Sequence, residues 1–189
     1  MQVDIVFEVR DARIVNTTRH PLLDDWTHTK DVFLVVNRID MVSKKDLDAW
    51  KRHFQRTNQR VFFTNGQKGQ GIDRVIKAAD AMSEKVNVSR VRRGLKPRPV
   101  RARVMGFPNI GKSAIINRLL KRKVVESAAR PGVTRSLRWI RMGERLDLLD
   151  APGIIPMSIG APLLSSPYIC TIRLNLYIPA VYLSMFIGQ

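Results

Sequence analysis

Residues 106–113 read GFPNIGKS, the pattern G-x-x-x-x-G-K-S. Every position has a chemical purpose if the segment wraps a phosphate chain. Gly106 and Gly111 let backbone N–H groups curl around phosphate oxygens with no Cβ in the way. Asn109 and Ile110 lie inside that cradle. Lys112 brings a point charge to the β- and γ-phosphates. Ser113 brings a hydroxyl to a Mg²⁺ ion that bridges them. A helix starting here adds the positive end of its dipole. Such a loop does not choose between adenine and guanine, so a base reader is needed elsewhere. Residues 37–40, NRID, can supply it. Asp40 can accept two hydrogen bonds, from N1–H and the exocyclic amine of guanine, and adenine has no matching pair of donors. Asn37 can tie the base to the phosphate loop, with Arg38 beside it.

Two further segments complete a nucleotide site. DAPG, residues 150–153, is expected to end a strand. Its Asp150 would reach Mg²⁺ through water, and the Gly153 N–H would sense the γ-phosphate. RPGVT, residues 130–134, precedes it and places Thr134 to close over the metal. The base reader comes before the phosphate loop by about seventy residues, the reverse of the usual GTPase order.

The elements that hold these residues can be read from the pattern. Val3–Val9, Val32–Val36 and Val61–Phe63 are apolar runs rich in β-branched and aromatic residues, hence buried strands. Ser43 with Asp46 resembles a capping box, and Leu47, Trp50 and Phe54 follow at helical spacing, predicting a helix over 44–58. A Gly-rich turn runs from Asn65 to Gly71. Ile72, Val75, Ile76 and Ala79 mark the next helix. Residues 86–99 lack a clean period and read as a basic linker. Val100–Met105 is a strand feeding the phosphate loop, and Ile115, Ile116, Leu119 and Leu120 mark the helix after it. Leu137–Arg141 and Leu146–Leu149 are two strands turning at Gly143. Six strands, most with helices between them, predict an α/β fold.

Charge and cysteine content narrow the class. Lys and Arg number 33 against 16 Asp and Glu, a formal +17. From Lys85 to Val125 there are 13 basic residues and no acid. That favours an anionic partner, most simply nucleic acid, with Arg92, Arg93, Lys96 and Arg98 as contacts. A single cysteine, Cys170, excludes a disulfide framework within the chain. The three histidines, His20, His28 and His53, are scattered and form no metal cluster with it. No transit segment leads the chain. Residues 157–189 carry one charge, Arg173, and the apolar stretch 174–188 holds Asn175 and Pro179 and is short for a membrane span. The expectation is a nucleotide-binding domain over 1–157 and a poorly ordered apolar tail over 158–189.

Together DARI (11–14), NRID, the turn NGQKGQG, GFPNIGKS, INRLLKRK, RPGVT and LDLLDAPGIIPM resemble the circularly permuted ribosome-assembly GTPases, the ribosome-biogenesis GTPase A family. The plant plastid members are named for the Asp-Ala-Arg triplet. The resemblance covers about residues 3–157. It implies a permuted Ras-like P-loop fold, with a six-stranded, mostly parallel sheet and helices on both faces. It also implies GTP and GDP binding with Mg²⁺ held through Ser113, Thr134 and Asp150. Asn65, Gly66 and Gln67 stand where the base and ribose side is lined, though Ser-Ala is commoner there and Lys is commoner than Arg38. Asn109 resembles a K⁺-holding residue of potassium-stimulated relatives. Ile154 stands where Ras-like proteins carry a catalytic Gln, which implies slow hydrolysis, and no catalytic residue is assigned. The implied partner is a large ribosomal subunit precursor and its rRNA, met by a monomer away from any membrane. The implied compartment is the chloroplast stroma, with the mitochondrion as alternative. The resemblance stops at Met157, so the chain reads as truncated at both ends with an unrelated tail.

Overall fold

The computed structural model describes residues 3–19, 23–28, 30–57, 59–121, 138–142 and 144–150. Asp150 is described as backbone only, and Thr134, Gly153, Ile154 and the tail 158–189 lie outside the described residues.

Six strands form one sheet. They are β1 (Ile5–Asp11), β2 (Asp31–Asn37), β3 (Val61–Phe63), β4 (Val100–Met105), β5 (Arg138–Met142) and β6 (Leu146–Asp150), in the spatial order β3-β2-β1-β4-β6-β5. All pairs are parallel except β5 with β6 at one edge. β1 is buried along its whole length, as expected for a central strand covered on both faces. Alternation along it assigns the two faces. Ile5, Phe7 and Val9 face one core with Phe33, Val35, Ala102 and Val104. That core is covered by α3 (Ile72–Arg92) and α4 (Lys112–Leu119), through Val75, Ala79, Ile115 and Ile116. The opposite face is covered by α1 (Leu23–Thr27) and α2 (Lys44–Gln55), through Leu23 and Phe54. Glu8 and Arg10 also lie on β1, and they meet there in a buried bidentate pair at 2.6 and 2.7 Å. Mutual charge compensation is what makes two ionised groups tolerable at that depth.

Helix ends follow the local chemistry. Ser43 caps α2 by accepting from the Asp46 N–H at 3.1 Å. The helix stops at Gln55, three residues short of the expected 58. α1 was not expected; it is five residues long and buries Leu23, too little for a period to show.

The larger difference concerns residues 86–99. α3 runs to Arg92, so only 93–99 link it to β4. Its apolar period fades because the last turns leave the core, yet the end is well capped. The Gly94 N–H donates to Val91 O at 2.9 Å and the Leu95 N–H to Arg90 O at 3.0 Å, with Gly94 at φ 72°. That is a Schellman closure, and glycine supplies its left-handed residue.

Arg98 also departs from its expected role as a nucleic-acid contact. Its guanidinium grips the Asp4 carboxylate at 2.8 and 2.9 Å, and its backbone N–H donates to Asn87 Oδ1 at 3.0 Å. It therefore fastens the entry to β4 onto the start of β1. Burial resists ionisation of Asp4. The Arg98 hydrogen bonds, the Arg101 N–H and the charges of Arg98 and Lys30 outweigh it, and the pKa falls below the ordinary 3.8. A depressed carboxylate pKa stabilises the fold above the ordinary value and loses that contribution as pH falls through the depressed one. Arg98→Ala should therefore cost about 1–3 kcal/mol near neutrality. Thermal melts of the two proteins should converge as pH drops below the ordinary carboxylate range.

Candidate nucleotide site

Strand order reverses between β1 and β4: the chain steps outward through β2 and β3 on one side, and from β4 toward β6 and β5 on the other. Ligands of open α/β sheets bind in the crevice at the carboxyl ends of strands flanking such a point. Three predicted elements end there: the turn after β1 at Asp11, the base-reading segment after β2 at Asn37, and the phosphate loop after β4.

The loop's backbone is specialised as its glycines require. Gly106 has φ 147°, and a Cβ there would come within 2.5 Å of Val9 O. Gly111 has φ 95° at the N-terminal end of α4, and a Cβ there would lie 2.3 Å from Asn37 Nδ2. Asn109 also takes a left-handed conformation, φ 60°. Lys112 is 8% exposed, and its ammonium donates to Phe107 O at 2.8 Å and Gly106 O at 3.2 Å. Ser113 follows in the first turn of α4.

Asn37 is the hub. It is 2% exposed, and its Nδ2 donates to Ile110 O at 2.9 Å across 73 residues of sequence. Its Oδ1 accepts from the Gly66 N–H at 2.9 Å and the Thr64 hydroxyl at 3.4 Å. One amide thus joins the 37–40 segment, the 65–67 turn and the 106–113 loop. Arg38 has φ 64°; its guanidinium donates to Asn109 O and lies 3.6 Å from Asp11 Oδ2. Ile39–Met41 form a short 3-10 turn in which Ile39 is buried and Asp40 is exposed, leaving that carboxylate open to a base. The Asn65 side chain organises its own turn by accepting from the Gln67 and Lys68 N–H groups at 3.0 Å each.

Sequence reasoning missed Arg118. Its guanidinium, on α4, donates to Gly66 O at 3.2 Å and to Gln67 O, binding the helix that carries Lys112 to the 65–67 turn. A basic residue at the end of a helix gave no signal of this. Nor did Asp11 and Arg13 receive a role beyond resemblance. Asp11 is buried and accepts from the Arg13 backbone N–H at 3.0 Å and its guanidinium at 3.0 and 2.8 Å. A cleft of about 690 Å³ lies between this turn and α2, lined in part by Arg13, Met41, Trp50 and His53. Of the proposed metal-binding side chains only those of Ser113 and Asn109 are among the described residues. Of the proposed RNA contacts, Arg92, Arg93 and Lys96 are exposed.

The glycine-rich loop at the strand-order reversal and the sheet order define a P-loop GTPase fold with its strands circularly permuted. Residues 101–174 match the family described as 50S ribosome-binding GTPase, so the likeness runs past Met157, where it was expected to stop. Ribosome biogenesis GTPase A of Bacillus licheniformis is 37% identical over 154 residues, 81% of this chain and 54% of that protein. Ribosome biogenesis GTPase A of Bacillus cereus is 33% identical over 192 residues, 99% of this chain and 65% of that protein. The crystal structure of GNP-bound YlqF from T. maritima superposes with a TM-score of 0.57 at 26% identity, covering 84% of this chain and 56% of that one. The chain belongs to this ribosome biogenesis GTPase A family of circularly permuted GTPases. It spans about half to two thirds of the length of those curated relatives.

Proposed function

We propose that this chain binds GTP and GDP and hydrolyses GTP slowly in the assembly of a large ribosomal subunit. The observation that carries the reading is the Asn37 hub, whose side chain donates to Ile110 O in the 106–113 loop and accepts from the Gly66 N–H in the 65–67 turn. Asp40 selects guanine, Lys112 and the loop N–H groups bind the phosphates, and the 65–67 turn flanks the base and ribose. Mg²⁺ would be held by Ser113, Thr134 and Asp150, oxygen donors suited to a hard cation. When bound it neutralises charge developing on the β- and γ-oxygens. GDP and GTP titrations of the full chain, against ATP, test the reading; equal affinity for ATP would overturn it. Potassium stimulation through Asn109 is part of the proposal. It predicts faster hydrolysis in K⁺ than in Na⁺, and equal rates would remove it.

The proposed partner is the large-subunit precursor and its rRNA. The match to a family described as 50S ribosome-binding GTPase supports this. So do exposed Arg92 and Arg93 at the capped end of α3 and exposed Lys96 just beyond it. Phosphate contacts release counterions, so log K should fall with log salt by about 0.7 per contact on single strands and about 0.9 on duplex. Replacing those three residues by Gln should flatten the slope by roughly two to three units. Arg98→Gln should leave the slope unchanged, since Asp4 already holds that guanidinium. By resemblance to the plastid members, the compartment proposed is the chloroplast stroma, which import of the full-length precursor fused to a fluorescent reporter would test.

A second reading makes the chain a basic RNA-binding module with little nucleotide turnover. The run of 13 basic residues without an acid favours it. Salt-sensitive RNA binding with no affinity for GDP would establish that reading over the first.

A further inference from the structure

Asp11 closes β1 at the point where strand order reverses, and its carboxylate is 3% exposed. Two guanidinium groups share it. Arg13 takes most of its hydrogen-bonding capacity, with three bonds of 2.8–3.0 Å. Arg38 approaches the Oδ2 oxygen at 3.6 Å and uses its other terminal nitrogen to hold Asn109 O in the phosphate loop. Its left-handed backbone, φ 64°, is unfavourable for a side chain with a Cβ, so the surrounding structure must impose it. The result is that Asn37 and Arg38, adjacent in sequence, hold the adjacent loop carbonyls of Ile110 and Asn109. A guanidinium can serve a carbonyl and a carboxylate at once through its planar fork, which an ammonium cannot do with the same geometry.

We infer that Asp11 is a positioning residue for nucleotide retention: its buried carboxylate steers the Arg38 guanidinium onto the phosphate loop. This rests on the guanine-nucleotide reading above. It gives the first residue of the Asp-Ala-Arg triplet a task distinct from shaping its own turn. An amide at this position keeps the size of the side chain but removes the charge that balances two arginines. Arg38 then loses its anchor, and the loop loses the guanidinium hold on Asn109 O.

The test is release of a fluorescent GDP analogue from the full chain, followed by stopped flow, beside melting of the nucleotide-free proteins. Asp11→Asn and Arg38→Ala should each release it roughly tenfold faster, the effect of one charge-assisted hydrogen bond. The double variant should be no faster than the faster single one, because both remove the same coupling. Arg13→Ala should stay within about twofold of wild type, whereas a purely turn-shaping Asp11 would make it as damaging as Asp11→Asn. Wild-type release from Asp11→Asn, multiplying effects in the double variant, or equal damage from Arg13→Ala would each overturn the inference while leaving the functional reading intact. If melting shows Asp11→Asn to be unfolded, Arg38→Ala decides alone: tenfold faster release supports the inference, and wild-type release overturns it. A wild-type chain that retains no guanine nucleotide would overturn both.

Discussion

Asp40→Asn should abolish guanine preference while leaving the fold untouched. Asp40 sits exposed on the short turn Ile39–Met41, which is held from beneath by buried Ile39 and by the Ile39 N–H donating to Thr64 O at 3.3 Å. The carboxylate contributes nothing to the core, so the change should move the melting point of the nucleotide-free chain very little; surface substitutions of this kind stay within about 0.5 kcal/mol. The effect on recognition should be large for the opposite reason. Guanine presents two N–H donors to one carboxylate, and an amide matches only one of them. The amide instead offers a donor to the 2-oxo group of xanthine. Sites built on hydrogen-bond complementarity discriminate by roughly 10⁴-fold or more. Competition of GDP against XDP on the wild-type and variant chains is the measurement. Unchanged GDP affinity would remove Asp40 from the base site.

The parts of this fold that were legible are those fixed by burial over short range. β3 and β4 fall where their patterns place them: Val61–Phe63 is a short apolar edge strand, and β4 alternates buried Val100, Ala102 and Val104 with half-buried Arg101 and Arg103. The phosphate loop was legible because its chemistry dictates residue types at fixed spacing. The Asn37 bridge, though it spans 73 residues, was also foreseeable: a buried amide at a strand end must find partners, and the loop carbonyls are what the fold brings there. The end of α3 was missed for a physical reason. Periodicity reports contact with a core, and residues 86–92 have little, while the signal that does mark the helix end is Gly94 alone. Arg98 was misread because charge is visible in a sequence and its partner is not. Asp4 lies 94 residues away, and only the pairing of β1 with β4 brings the two together. The linking of Arg38 to Asp11 and Asn109 is hidden in the same way.

Lys112→Ala should be the most damaging substitution for phosphate binding. Lys112 begins α4, directly after the left-handed Gly111, so its position is fixed by the turn. Lys112 is only 8% exposed, and its ammonium bridges the carbonyls of Gly106 and Phe107, which holds the charge across the loop. Burial strengthens whatever it pairs with, since the effective dielectric is lower than in water. Two charge-assisted hydrogen bonds to phosphate oxygens, at about 1.5–3 kcal/mol each, correspond to roughly 10²- to 10⁴-fold in affinity. The loss should fall on GDP and GTP together, because the lysine reads phosphate and not base. That separates it from Asp40→Asn, which changes the choice of base while the phosphates stay bound. Isothermal titration with GDP, GTP and inorganic pyrophosphate resolves the two. Equal affinity of wild type and Lys112→Ala for all three would dismiss the loop as the phosphate site, and a loss confined to one nucleotide would assign the lysine to something other than the shared phosphates.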